Sequence, residues 1–307
     1  MLQSKVRIYL SAFMHLLKPD QKLRGYPGYI WIASPRSSLS LKLVIIHLLS
    51  MLTLPFSIFC CALCSSLFVA LLYIWPLLGV HYDVLDPKTR DRTDVIKMRS
   101  ISVICAAILS YTVVLFTTGS PAEALSLIGI TGPLKSLYSA AIGLLLTLTL
   151  MAGPLYYGGC ALRGFTKWQT LRALVIAPIT EEFVFRGCCD ALLQQTTLSY
   201  GYRLLLCGPV FFTLAHVHHF ANAIIADPVR GVISACLTMS YTGVFGAFCT
   251  ALLESTGSLA GPIVSHAVCN YAGLPDFNFN SSTKALAYGI GVFLFIAECV
   301  YLFLLHY

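Results

Sequence analysis

The chain has 307 residues, 57% of them hydrophobic and only 11% charged, with a mean hydropathy of +0.79. Soluble domains carry about 25% charged residues, so a water-soluble globular fold is excluded and a polytopic membrane protein is expected. The apolar residues run in long unbroken blocks rather than in alternating segments of about ten residues, which excludes a β-barrel. What remains is an all-α bundle of membrane helices with no sign of a second folded domain.

Residues 1–42 hold Lys5, Arg7, Lys18, Lys22, Arg24, Arg36 and Lys42 against one acid, Asp20, and so supply +6 of the net +7. A basic arm of this kind suits anionic lipid headgroups or the cytoplasmic face of a membrane, not nucleic acid. It stands apart from the domain expected over 43–307. The opening residues are too broken for a secretory signal. The last residues form no C-a-a-X box, so the chain is not expected to be prenylated itself. The apolar block 43–80 is long for one helix and short for two. Pro55 is expected to divide it into an interfacial helix and a span near 57–79. Cys61 and Cys64 form a C-x-x-C inside "FCCALCSSLF", surroundings too apolar for a zinc ribbon. They are read as small buried side chains, and the scatter of the remaining cysteines gives no disulfide framework.

Residues 81–100 read as a polar loop with Lys88, Arg90, Arg92, Lys97 and Arg99. Spans follow at 101–118 and 134–157. Between them, 119–133 reads as a loop without Lys or Arg, and the charge bias puts it opposite the cytoplasmic side that 81–100 faces. After 158 the blocks shorten and admit Gly, Pro, His and Asn. They cover 171–193, 203–225, 231–253 and 257–274, before a conventional span at 285–305. About eight helices result, with no visible repeat. Polar groups at membrane depth face a cavity or one another, so the second half is expected to hold the functional site.

Three clusters carry the chemistry. The first is "PITEEFVFRGCCD" at 178–190. A charge at the centre of a membrane helix costs about 2.5–3.5 kcal/mol on insertion scales, so its charges must compensate one another. Residues four apart share a helix face. Glu182 and Arg186 have that spacing, as do Arg186 and Asp190, so Arg186 is expected between two carboxylates. Glu181 is left without a local partner, the condition in which a carboxyl serves as a general base. The second cluster is "FFTLAHVHH", where His216 and His219 share a face and His218 points elsewhere. The third is "SHAVCNY", where His266 and Asn270 lie four apart, a pair of neutral donors that suits an oxyanion hole. Each cluster alone is also compatible with helix–helix polar contacts.

Together they suit hydrolysis of an amide by an activated water. Two rivals use the same residues: a catalytic zinc on Glu181, His216 and His266, or a thiol nucleophile from Cys188, Cys189 or Cys269. Water ranks first, zinc second and cysteine last, because apolar burial raises a thiol pKa. A proton-coupled transporter is a reading of another class, but the internal repeats often seen in transporters are not visible.

At these residues the chain resembles the CPBP (ABI) family of intramembrane glutamate proteases. "EEFVFRG" matches its E-E-x-x-x-R motif, "FFTLAH" its F-x-x-x-H motif from Phe212 to His216, and "HAVCN" its H-x-x-x-N motif. The likeness is nearest to the branch of eukaryotic CAAX-processing endopeptidases and covers roughly 85–277. The resemblance implies an eight-helix bundle around a polar cavity open to the cytosol, in the endoplasmic reticulum membrane. It implies that Glu181 and His216 activate water, that His266 and Asn270 form the oxyanion hole, and that Glu182 and Arg186 support them, with Phe212 and His219 alongside. It implies removal of the aaX tripeptide from prenylated C-a-a-X proteins such as small GTPases, with membrane lipid as surroundings, no nucleic acid partner and no metal cofactor. Elsewhere the readings are plain: Glu298 has no nearby partner, Glu254 sits at a helix end, Asn222 and Asp227 lie in a loop, and His47 is an interior or interfacial histidine.

Overall fold

A computed structural model describes residues 54–80, 82, 86–158, 162–273 and 281–304. The basic segment 1–42, His47 and the interfacial helix expected before Pro55 lie outside these residues. The described chain is helical throughout. We number its helices α1 (Leu54–Leu77), α2 (Thr93–Thr118), α3 (Pro121–Ile128), α4 (Pro133–Tyr156), α5 (167–194), α6 (Tyr200–Ala226), α7 (Pro228–Thr256), α8 (Ala260–Ala272) and α9 (Ser282–Leu304). A single turn, Pro87–Arg90, precedes α2. Among the described residues six stretches are long and apolar enough to cross a membrane: α1, α2, α3 with α4, α6, α7 and α9. α5 and α8 complete the bundle. α5 is interrupted by charge and α8 is short.

Two expected loops are partly helical. Residues 93–100 form the first turns of α2 instead of a polar loop, with Asp94 in the first turn, where it suits the helix dipole. Arg92 closes on Asp94 at 2.7 Å. The stretch 119–133 contains α3. Ser120 caps it by accepting from the Glu123 N–H, and Pro121 occupies the first turn, where no N–H is needed. Gly119 and Gly129, at φ 71° and 88°, end α2 and α3 in the left-handed conformation that glycine adopts freely. Asn222 likewise lies in the last helical turns of α6, and Asp227 is the N-cap of α7, accepting from the Arg230 N–H.

The outward faces of α2, α4, α7 and α9 carry exposed Ile, Leu, Val and Phe, as expected where the solvent is lipid. Lipid gives no hydrophobic drive for helix association, so close packing and polar contacts hold such helices together. α4 and α8 meet in this way. Ser139 contacts the Thr256 hydroxyl at 2.7 Å and accepts from the Gly261 N–H at 2.9 Å. A Cβ at Gly143 would lie 2.5 Å from the Gly261 carbonyl oxygen and 2.8 Å from the Ser265 hydroxyl. α6 and α7 touch at Gly208 and Gly246, which brings α7 against Arg186 of α5. The core where α1, α5 and α6 meet is filled by Cys61, Cys64, Phe68, Phe185, Cys188, Cys189 and Phe212. The described cysteines are free thiols.

Gly143→Ala is expected to cost about 1–3 kcal/mol by overpacking a rigid backbone contact. Gly289→Ala, which meets nothing within 4 Å, should be neutral or slightly stabilising. Thermal unfolding of both variants in one detergent checks this. Equal midpoints would show that the α4–α8 contact is not close-packed.

Candidate active site

α5 is anchored before it reaches the site. Thr166 and Gln169 form a reciprocal capping box. Gln169 Nε2 donates to the Asp91 carbonyl at 3.2 Å, and Arg172 Nη1 donates to the Asp91 carboxylate at 2.8 Å. The helix then widens into a π turn over Arg172–Ile176, where the Ala177 N–H reaches the Arg172 carbonyl five residues back. The next residue, Pro178, has no N–H to give the Ala173 carbonyl. Asn270 of α8 supplies the missing donor, its Nδ2 lying 2.8 Å from that oxygen. A missing backbone hydrogen bond thus ties α8 to α5.

Glu182 has no exposed surface and makes the central contacts. Its Oε1 accepts from His266 Nδ1 at 2.7 Å and from Arg186 Nη1 at 3.3 Å. Arg186, also fully buried, holds its Nε 3.3 Å from Glu182 Oε2. Its Nη2 has no hydrogen-bond partner among the described residues. The guanidinium carbon lies 3.8 Å from the centre of the Phe212 ring, whose face supplies a cation–π contact instead. Phe212 also packs edge-on to His216, with centroids 4.5 Å apart, and to His266 at 6.3 Å.

Asp190 is not the second partner of Arg186. It pairs with Arg203 of α6 at 3.2 Å and accepts from Gln194 at 2.6 Å, while Arg203 also contacts Glu254 in the last turns of α7. Asp190 is instead occupied by Arg203 and Gln194, in a stretch where a second π turn, Phe183–Cys188, interrupts the regular helix. Glu298 is not partnerless either, since it accepts from Thr149 of α4 at 3.2 Å.

Glu181 faces the other way, into a cavity of about 100 Å³ that is partly open to the exterior. Its Oε2 lies 3.8 Å from His216 Nε2 and 3.9 Å from His266 Nε2. His216 Nδ1 donates to the Phe212 carbonyl at 2.8 Å. A carbonyl only accepts, and so does the Glu182 carboxylate beside His266. When neutral, each ring therefore carries its lone pair on Nε2, which points towards Glu181; when protonated, that same nitrogen donates there. At 3.8–3.9 Å these atoms are beyond direct hydrogen bonding and stay available to a third group. They are also wider apart than the roughly 3.3 Å between ligands of a tetrahedral zinc. No cluster of three His, Cys, Asp or Glu side chains with metal-site spacing occurs among the described residues.

His219 lines the same cavity, its ring 5.8 Å from that of His216. His218 does so as well, only 3.9 Å from His219, rather than pointing away. A tighter 3₁₀ turn over Val217–Phe220 brings the two rings together. Cys188 and Cys189 are buried at α1, away from the cavity. Two further cavity residues, Arg99 and Arg172, escape the sequence reading. Arg172 was legible, since it lies nine residues before Glu181 on one helix. Arg99 was hidden by assigning its segment to a loop.

The Arg203 contacts give a test separable from catalysis. Arg203→Met strands Asp190 and Glu254, and breaking such buried pairs costs about 3–5 kcal/mol. Expression and thermal midpoint should fall, while turnover per folded molecule stays near wild type. A parallel loss of turnover would tie this network to the cavity.

Comparison with known proteins identifies the family. The family described as type II CAAX prenyl endopeptidase Rce1-like matches residues 163–272, which span α5 to α8. CAAX prenyl protease 2 of Homo sapiens is 33% identical over 276 residues, covering 79% of this chain and 80% of that protein. The Rattus norvegicus protein of the same name is 32% identical over 71% of this chain and 69% of its own. That of Arabidopsis thaliana is 37% identical over 39% of each. No solved structure matches significantly. With its charged pair, its histidines and its asparagine all inside the matched segment, the chain belongs to the type II CAAX prenyl endopeptidase family.

Proposed function

We propose that this enzyme removes the aaX tripeptide from prenylated C-a-a-X proteins, small GTPases among them, by direct attack of a water that Glu181 and His216 activate. The observation that carries the reading is Glu181 Oε2 flanked by the Nε2 atoms of His216 and His266 at 3.8 and 3.9 Å, in a chain of this family.

In this reading Glu181 takes a proton from the water and His216 Nε2 orients it. The water oxygen bonds to the carbonyl carbon of the prenylated cysteine. The negative charge that develops on the carbonyl oxygen meets His266, which as an imidazolium with Nδ1–H on Glu182 donates from Nε2. Asn270 offers its second amide N–H, the first being held by Ala173. Collapse breaks the C–N bond, and Glu181 returns the proton to the leaving amine. The chemistry balances without a metal ion. Glu182 and Arg186 act by positioning, Phe212 by packing under both imidazoles, and His219 as a wall of the cavity.

The substrate class fits the surroundings. One prenyl chain gives marginal anchoring but holds the adjacent peptide at the lipid boundary. The lysines and arginines of 88–99 favour a cytosolic cavity mouth, and the endoplasmic reticulum is the proposed membrane.

The test uses purified enzyme in lipid nanodiscs and a farnesylated C-a-a-X peptide, with the released tripeptide identified by mass spectrometry. The unprenylated peptide should react at least ~10-fold more slowly, given the apolar area a prenyl chain buries. Phenanthroline should leave the rate unchanged. No tripeptide from folded enzyme would overturn the function. Equal rates on the two peptides would point to a differently targeted peptidase. Inhibition by the chelator with rescue by zinc would replace the water-only mechanism.

A further inference from the structure

The cavity has a second charged end that the reaction above does not use. Arg99 of α2 and Arg172 of α5 line it together with Glu181, His216, His218 and His219. Arg172 is engaged with Asp91, which also lies 3.8 Å from Arg90 Nε. Arg99 has no ion pair or hydrogen bond among the described residues, and its Nη1 is fully buried without an acceptor. Arg90 and Arg172 therefore share one carboxylate, and Arg99 is left without one among the described residues. Burial, followed by the neighbouring Arg172, holds the Arg90 guanidinium below its ordinary pKa. A partly buried guanidinium with a buried, unsatisfied N–H is costly unless an anion meets it.

We infer, on the basis of the proposed function, that Arg99, with Arg172 beside it, holds the free C-terminal carboxylate of the substrate and so sets the release point at three residues. The spacing supports this. Arg172 lies nine residues before Glu181, about 13 Å along the helix axis. An extended tripeptide covers about 10–11 Å, and an arginine side chain spans the remainder. A guanidinium fork matches a carboxylate in geometry as well as charge. The cavity wall also includes Phe68, Leu72, Val103 and Ile176, apolar surface suited to the two aliphatic residues. One end thus positions the scissile bond, the middle takes the aliphatic side chains, and the arginines read the chain terminus.

The experiment compares a farnesylated C-a-a-X peptide ending in a free acid with the same peptide ending in an amide, in nanodiscs of zwitterionic lipid, for wild type and Arg99→Gln. Wild type should prefer the acid by roughly 30-fold or more in kcat/KM, the scale of a buried charge pair broken on one side. Arg99→Gln should lose most of that preference, reacting like wild type on the amide. The acid-to-amide ratio is internal to each preparation, so partial unfolding does not alter it. If Arg99→Gln does not fold, Arg99→Lys replaces it and should keep a reduced preference. Wild type that cleaves acid and amide equally would overturn the carboxylate clamp and leave the function standing. An undiminished ratio in Arg99→Gln, or in Arg99→Lys where that replaces it, would do the same. Wild type that cleaves neither peptide would overturn the function and this inference with it.

Discussion

One buried carboxylate organises the second half of this chain. Glu182 sits where water does not reach and where an unpaired charge would cost several kcal/mol. Its Oε1 is shared between Arg186 one turn along α5 and His266 on α8. Arg186 in turn lies over Phe212 of α6, with Gly246 of α7 leaving room for it. Four helices are therefore tied to a single side chain. Because Glu182 absorbs this role, its neighbour Glu181 is free to face the cavity. Adjacent residues on a helix point about 100° apart, so one step of sequence separates the supporting carboxylate from the one exposed to substrate.

Irregular helix geometry does the rest. α5 carries two π turns and α6 one, at Leu206–Phe212 around Pro209. Each leaves backbone groups that must find partners in a medium without water. At Ala173 the partner is Asn270, and at Phe212 the carbonyl accepts from His216. The same deviations that cost backbone hydrogen bonds orient the polar side chains of the cavity. Regular helices of this composition would satisfy themselves and present nothing to it.

This explains what the sequence disclosed. The Glu182–Arg186 pairing was legible, because a four-residue interval still brings the two together. So were the apolar spans and the turn that separates Glu181 from the pair. The Arg186–Asp190 pairing failed because Arg203, distant in sequence, is the better-placed partner of Asp190. His218 was misplaced because a 3₁₀ turn, invisible to a uniform period, sets its direction. α3 went unseen although Ser120, Pro121 and Glu123 form a readable start, since an eight-residue helix between two spans looks like a loop by composition alone. The joining of α5 to α8 depended on a carbonyl left bare by Pro178, a backbone fact that side-chain patterns do not report.

The central claim is a division of labour between two adjacent glutamates, and it is tested most directly by measuring turnover and thermal stability together for Glu181→Gln and Glu182→Gln. The account predicts that Glu181→Gln folds with a near wild-type midpoint and loses at least ~100-fold in kcat. Glu182→Gln should lose stability first, by about 3 kcal/mol or more, as Arg186 is left with an uncharged neighbour. A stable Glu181→Gln enzyme that still turns over at the wild-type rate would contradict it.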